Sequence, residues 1–179
     1  MELKTAGELM IPLDKYPHIP YWFSIRHAIA ELTHSQLVID GQISLARAVL
    51  VFDDEYNLMG LVRRRDIMKG FEPENFFGDQ AHYSQHLFEV KHDPDLLEIS
   101  SERLHKSIEE KAEQAVSSIM APIEATVDYN DHLFKIVYEM NHHQLSMLPV
   151  IKDDAVVGVI RTVEVTSQIA KNLGIKLNT

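Results

Sequence analysis

The sequence predicts a mixed α/β (α+β) fold made of two copies of one unit, and two observations carry that prediction. The stretch Leu58–Ile67, LMGLVRRRDI, returns near the C-terminus as Val156–Val165, VVGVIRTVEV. Each copy reads as an apolar strand with Gly third, then Arg, two residues, an acid and an aliphatic residue. The second observation is a pair of matched helix faces. Ile25, Ala28, Ile29 and Leu32 stand at the spacing of Leu133, Ile136, Val137 and Met140, one side of a helix in each case. Recurrence of this kind points to a duplicated supersecondary unit.

Each element can be justified in order. TAGELMIP at 5–12 and AVSSIMAP at 115–122 each predict a short helical turn, then Met, one residue and Pro. Pro biases the residue before it toward extended geometry, so the turn stops there. YPHIPYWFS and EATVDYND predict a short strand and a turn ahead of the two helices. AVLVFDDEYN and LPVIKDDA then lead into the repeated strands, and two short apolar runs about an Asp-Asp turn make a hairpin. Asp66 and Glu164 fall in the first turn of the helix that follows, where an acid complements the helix dipole. The last helix, Glu164–Leu173, stops at Gly174.

The copies differ between the first helix and the hairpin. Copy one runs through THSQLVIDGQISLARA where copy two has NHHQLSM, so an enlarged loop is expected around Ile39-Asp40-Gly41. The division is 1–70 for the first repeat, 71–114 for an insertion and 115–179 for the second repeat. In the insertion, Leu104, Ile108 and Ala112 are at helical spacing, and Asp93-Pro94 makes a helix start. A helical connector packed on the module is expected, because a free linker would be poorer in Phe, Leu and Ile.

Composition bounds the function. The chain has 179 residues, 45% of them hydrophobic, enough for one domain or two closely packed halves. Cysteine is absent, which excludes disulfides, thiolate catalysis and Cys-based zinc sites and fits a reducing compartment. No apolar run reaches the length of a membrane span, and MELKTAGELM lacks a signal peptide's apolar block, so a cytoplasmic location and no membrane partner are expected. A net charge of −10 argues against nucleic acid as a partner, and any anionic ligand needs a local basic patch. GxSxG, P-loop and GxGxxG patterns are missing, so catalysis finds no support and the chain is read as not an enzyme.

With the repeats laid out, the sequence resembles a tandem cystathionine β-synthase (CBS) domain protein. Met10-Ile11-Pro12 with Ile25–Leu32 and Leu58–Ile67 form one copy; Met120-Ala121-Pro122 with Leu133–Met140 and Met147–Val165 form the other. LPVIKDDAVVGVIRTVEV carries the likeness best. The resemblance implies two βαββα halves about a pseudo-twofold axis, with a mainly helical insertion between them. It also implies an adenosine-bearing ligand such as AMP, ADP or ATP between the halves, no required cofactor, and a homodimer. The chain departs from the family pattern where Arg63 and Arg161 replace a hydroxyl residue, Thr162 comes one place later, and Glu164 replaces Asp.

The candidate ligand residues follow from both readings. A carboxylate at a helix start, Asp66 or the longer Glu164, can accept both hydroxyls of a ribose, or simply complement the dipole. Arg63 and Arg161 can clamp phosphate bidentately. Arg64 and Arg65 read as a solvated basic turn facing the acidic loops Asp53-Asp54-Glu55 and Asp153-Asp154. Ile11, Ile19, Val127, Leu148 and Val150 can line an adenine slot, or be core. Trp22 and Phe23 suit core or a dimer surface. His82 and His86 share a helical face, but no third ligand follows at a supporting spacing. The expectation is therefore a regulatory CBS pair that binds an adenine nucleotide and signals to itself or to a protein target. A ligand-free dimerisation scaffold, and metal or catalytic use of 71–114, are the alternatives.

Overall fold

A computed structural model describes residues 4–39, 41–71 and 101–175, without the side chains of Gln42 and of 101–104. The first repeat comprises strand β2 (His18–Pro20), helix α2 (Ile25–His34), hairpin β5–β6 (Ala48–Phe52 and Leu58–Arg63) and helix α3 (Arg64–Gly70). The second comprises β7 (Val127–Asp128), α5 (Leu133–His142), hairpin β8–β9 (Met147–Lys152 and Ala155–Arg161) and α6 (Thr162–Asn172). In each, the first strand runs parallel to the hairpin's inner strand, Ile19 beside Val51 and Val127 beside Val150. The hairpin pairs with itself: Val159 lies opposite Pro149 as Leu61 lies opposite Leu50. The repeated βαββα unit expected from the sequence is therefore present twice. The helices bury the residues their spacing assigned: Ile25, Ala28 and Leu32 in α2, and Leu133, Ile136 and Met140 in α5.

The lead segments do not stay with their own repeats, which changes the simple order expected from sequence. Helix α1 (Ala6–Leu9) and strand β1 (Ile11–Pro12) precede the first repeat but pack on the second. The Ala6 amide donates to the Asp131 carbonyl at 2.8 Å, and β1 pairs with β9, Ile11 opposite Val159 and Pro12 opposite Gly158. In return, the turn Val116–Ser118 packs on the first repeat. The Val116 amide donates to the Phe23 carbonyl at 2.6 Å, and Leu61 and Ala121 bridge reciprocally. Ala6 lies in the second repeat's apolar cluster and Val116 in the first's. A third cluster joins the halves: Ile11, Leu13 and Tyr16 meet Leu50 and Phe52 from one side and Met147 and Val159 from the other.

The recurring glycine explains the exchange. A Cβ on Gly158 would stand 2.5 Å from the Ile11 carbonyl oxygen, and one on Gly60 would stand 2.6 Å from that of Ala121. Only a residue without a side chain lets the opposite segment cross so closely.

Two further differences from expectation stand out. The enlarged loop is a hairpin, β3 (Gln36–Ile39) paired with β4 (Gln42–Leu45), with Gly41 at φ +79° in its turn. Leu37 is buried between the halves, while Val38, Ile43 and Leu45 face out. Within the insertion, α4 (Ser101–Ala112) forms at the expected helical stretch and lies against α2, with the Arg26 and Glu113 side chains paired nearby at 2.6 Å. Asp93-Pro94, His82 and His86 lie outside the described residues. Among the described residues, no helix is long and apolar enough to cross a membrane.

Candidate functional site

The two strand-to-helix junctions are the places where charge, hydrogen-bond donors and both halves converge. At the first, Asp66 sits in the opening turn of α3 and reaches back to the end of β6. Its carboxylate accepts the Arg63 amide at 2.9 Å, Arg63 Nε at 2.7 Å and Arg63 Nη2 at 3.0 Å. Burial alone would raise the Asp66 carboxyl, but the hydrogen bonds from Arg63 outweigh it and hold the pKa below the ordinary value. The Arg63 side chain is 25% exposed, so part of its guanidinium faces solvent.

At the second junction the same pattern is drawn inside. Glu164 accepts the Arg161 amide at 3.0 Å, and its carboxylate takes bonds from both Nε and Nη2 of Arg161. The Arg161 side chain is only 2% exposed. Its remaining nitrogen, Nη1, donates to Ser44 Oγ at 3.1 Å, across from the β3–β4 hairpin. A buried charge needs this complete set of partners, since an uncompensated one is very costly.

The sequence-derived residues are placed as follows. Asp66 and Arg63 meet at one junction, and Arg161, Thr162 and Glu164 gather at the other. Ile19 lies in the first repeat's core; Val127, Leu148 and Val150 lie in the second's; Ile11 lies between the halves, and all five are buried. Arg64 does not pair with the acidic loops. Its guanidinium donates to the Ala46 carbonyl at 3.0 Å and to the Leu32 carbonyl at 2.9 Å, tying the last turn of α2 to the segment that leads into β5. Asp53 instead accepts from the backbone and side chain of Asn57 within its own turn. Trp22 is exposed, and Phe23 packs against the first repeat's core.

Sequence reasoning missed Tyr16, Met147 and Ser44. The Tyr16 hydroxyl lies 3.1 Å from Met147 Sδ, and the residue is 2% exposed. Burial pushes its pKa up to about 12, with the charges of Arg161 and Glu164 acting in opposite directions. These partners are 131 and 117 residues apart in sequence for Tyr16–Met147 and Ser44–Arg161, so no local pattern joins them. A cavity of about 640 Å³ runs along β1, Lys15 and β3; its lining includes neither Asp66 nor Glu164.

Residues 116–171 match the family model of the CBS domain. The match lies within the second repeat. The whole chain has the fold of a tandem CBS protein, because solved structures of that kind superpose over nearly all of it. CBSX2, solved in complex with AMP, is 17% identical with a TM-score of 0.61, over 94% of this chain and 98% of that one. A CBS domain-containing protein of unknown function from Kribbella flavida is 15% identical with a TM-score of 0.66, over 93% and 98%. A hypothetical conserved protein from Geobacillus kaustophilus is 20% identical with a TM-score of 0.63, over 96% and 99%. No curated protein matches the sequence. The exchanged lead segments bind the two repeats to each other.

Proposed function

We propose that the chain is a regulatory CBS pair, repeats 1–70 and 115–179 about the connector 71–114, that takes an adenine nucleotide at the Arg63–Asp66 junction. The observation that carries the reading is a carboxylate held ionised beside a partly exposed guanidinium. Asp66 would accept the ribose hydroxyls and Arg63 would turn to the phosphate. The AMP complex of the structurally similar CBSX2 supports the ligand class. The chain does no chemistry of its own in this reading. Because each lead segment lies on the opposite repeat, a ligand at the junction binds one arrangement of the halves better and shifts the population toward it.

Titration calorimetry with AMP, ADP and ATP tests the site. Removing one charge-assisted hydrogen bond costs about 1.5–3 kcal/mol, so Asp66→Ala should weaken binding roughly tenfold to a hundredfold. Unchanged affinity in Asp66→Ala would move the ligand elsewhere. Wild type that binds none of the three would favour the scaffold alternative.

The module is also proposed to pair with a second copy. Phe134 and Tyr138 on α5 and Val163 and Ile169 on the neighbouring α6 are exposed, and large exposed apolar side chains that gather on one face mark interfaces. Light scattering at micromolar concentration should give twice the chain mass, and Tyr138→Glu should halve it.

A further inference from the structure

The cavity beside β1 has one wall from each half of the molecule. Strand β1 lies on the sheet of the second repeat, opposite Val159 and Gly158, and β3 belongs to the hairpin inserted in the first. Between them lie about 640 Å³, within the usual range of small-molecule pockets. Ile11 and Leu37 make its buried floor, and both belong to the apolar cluster between the halves. Lys15, Gln36 and Val38 stand exposed at its rim, Val38 at 66%. Lys15 and Gln36 alone among the described lining residues carry polar side chains, and no acid is among them. The Lys15 ammonium has no hydrogen bond or ion pair among the described residues. In the second repeat four residues join α5 to β8, so that repeat has no hairpin to form a matching wall.

We infer that this cavity is a further ligand site, separate from the Arg63–Asp66 junction, for a small amphipathic anion: an apolar tail that ends in one carboxylate. The tail lies on Ile11 and Leu37 and covers Val38. The carboxylate meets Lys15, with the Gln36 amide as a second donor. Charge selects this class of ligand. The chain as a whole carries −10 and repels anions, so an unpaired lysine beside apolar surface is a local exception. One cation suits one negative charge, and six apolar residues offer no partners for the polar edge of a nucleobase. Met10, unbranched and adaptable, lets the wall follow tails of differing shape. Arg63 and Asp66 do not line the cavity, so the inference stands apart from the nucleotide reading. Because the walls come from different halves, an occupant favours the arrangement that holds them together.

Decanoate, kept below the concentration at which it forms micelles, is the probe. Calorimetry should give one decanoate per wild-type chain, and the melting temperature should rise with it. Lys15→Glu should weaken binding about tenfold or more, and so should decylammonium in place of decanoate. Val38→Asp should abolish binding. Lys15 and Val38 are both exposed, so neither substitution disturbs the core. Wild type indifferent to decanoate overturns the inference. So does decylammonium bound as tightly as decanoate, or decanoate bound as tightly by Lys15→Glu. Uptake that does not saturate and that Val38→Asp leaves unchanged is adsorption to apolar surface elsewhere, and it overturns the site as well. If Val38→Asp halves the particle mass in light scattering, a second copy covers the cavity and the inference falls. None of these outcomes requires a nucleotide, so failure here leaves the Arg63–Asp66 reading standing.

Discussion

Arg63–Asp66 and Arg161–Glu164 are the same device in two settings. Both pairs sit at i and i+3 across a strand-to-helix junction, and in both the acid accepts the backbone amide of the arginine as well as its guanidinium. The settings differ through what the other half brings. The Arg63 side chain is 25% exposed, whereas that of Arg161 is 2% exposed and gives its last nitrogen to Ser44 of the β3–β4 hairpin. A duplicated motif thus keeps its local geometry while its surroundings decide between a guanidinium that partly meets water and one enclosed in a core.

The comparison is broken most directly by removing each arginine. Arg161→Ala leaves Glu164 buried without its partner, and breaking a buried pair costs about 3–5 kcal/mol. Arg63→Ala leaves an equally buried Asp66, 7% exposed against 8% for Glu164, but removes a guanidinium that partly faces water, so the loss should be smaller, about 1–3 kcal/mol. Urea denaturation measures both, and equal losses would mean that the difference in enclosure has no energetic weight.

Next in size is a pH effect of the tyrosine buried between the halves. Tyr16 titrates near 12 when folded and near 10 when unfolded, so the folded state holds its proton more tightly. That contribution is complete below pH 10 and is lost as pH rises through about 12. Two pKa units correspond to about 2.7 kcal/mol. Stability should therefore fall more in wild type than in Tyr16→Phe between these values, and parallel curves would place the ring in water. Asp66 gives the first junction the opposite dependence. Its lowered pKa adds stability above the ordinary carboxylate range, which is lost as pH falls through the folded value.

The smallest expected difference concerns the crossings. A methyl at Gly158 meets both the Ile11 oxygen and Met10 Sδ, at 2.5 and 2.6 Å; one at Gly60 meets the Ala121 oxygen at 2.6 Å but Met120 Sδ only at 3.2 Å. Overpacking typically costs about 1–3 kcal/mol, so both alanine variants should be destabilised by that order, Gly158→Ala slightly the more. Thermal unfolding of the two variants ranks them; a reversed order would show that Met10 yields more easily than Met120.

Much of the fold was legible in the residues. Hairpins, helix faces and first-turn acids are set by period, turn chemistry and capping within about ten residues, and those signals recur in both copies. The β3–β4 hairpin leaves a weaker signal: Leu37 and Ile39 alternate with polar or outward residues ahead of Asp40-Gly41, a two-residue turn signal that reads equally as an enlarged loop. The pairing of Arg63 with Asp66 and of Arg161 with Glu164 was half legible, since an acid three residues after the strand end can only reach back.

By itself, then, the chain determined a duplicated βαββα unit and an acid in the first turn of each closing helix, because each follows from contacts within a few turns of backbone. Tertiary structure alone decided that α1 and β1 cross to the second repeat and that the Val116–Ser118 turn crosses to the first. It also decided that Tyr16 lies buried against Met147. Those outcomes depend on groups more than a hundred residues apart meeting at one rung of a sheet. Which of them is enclosed is set by the fit of side chains from both halves, and no local pattern along the chain encodes that fit.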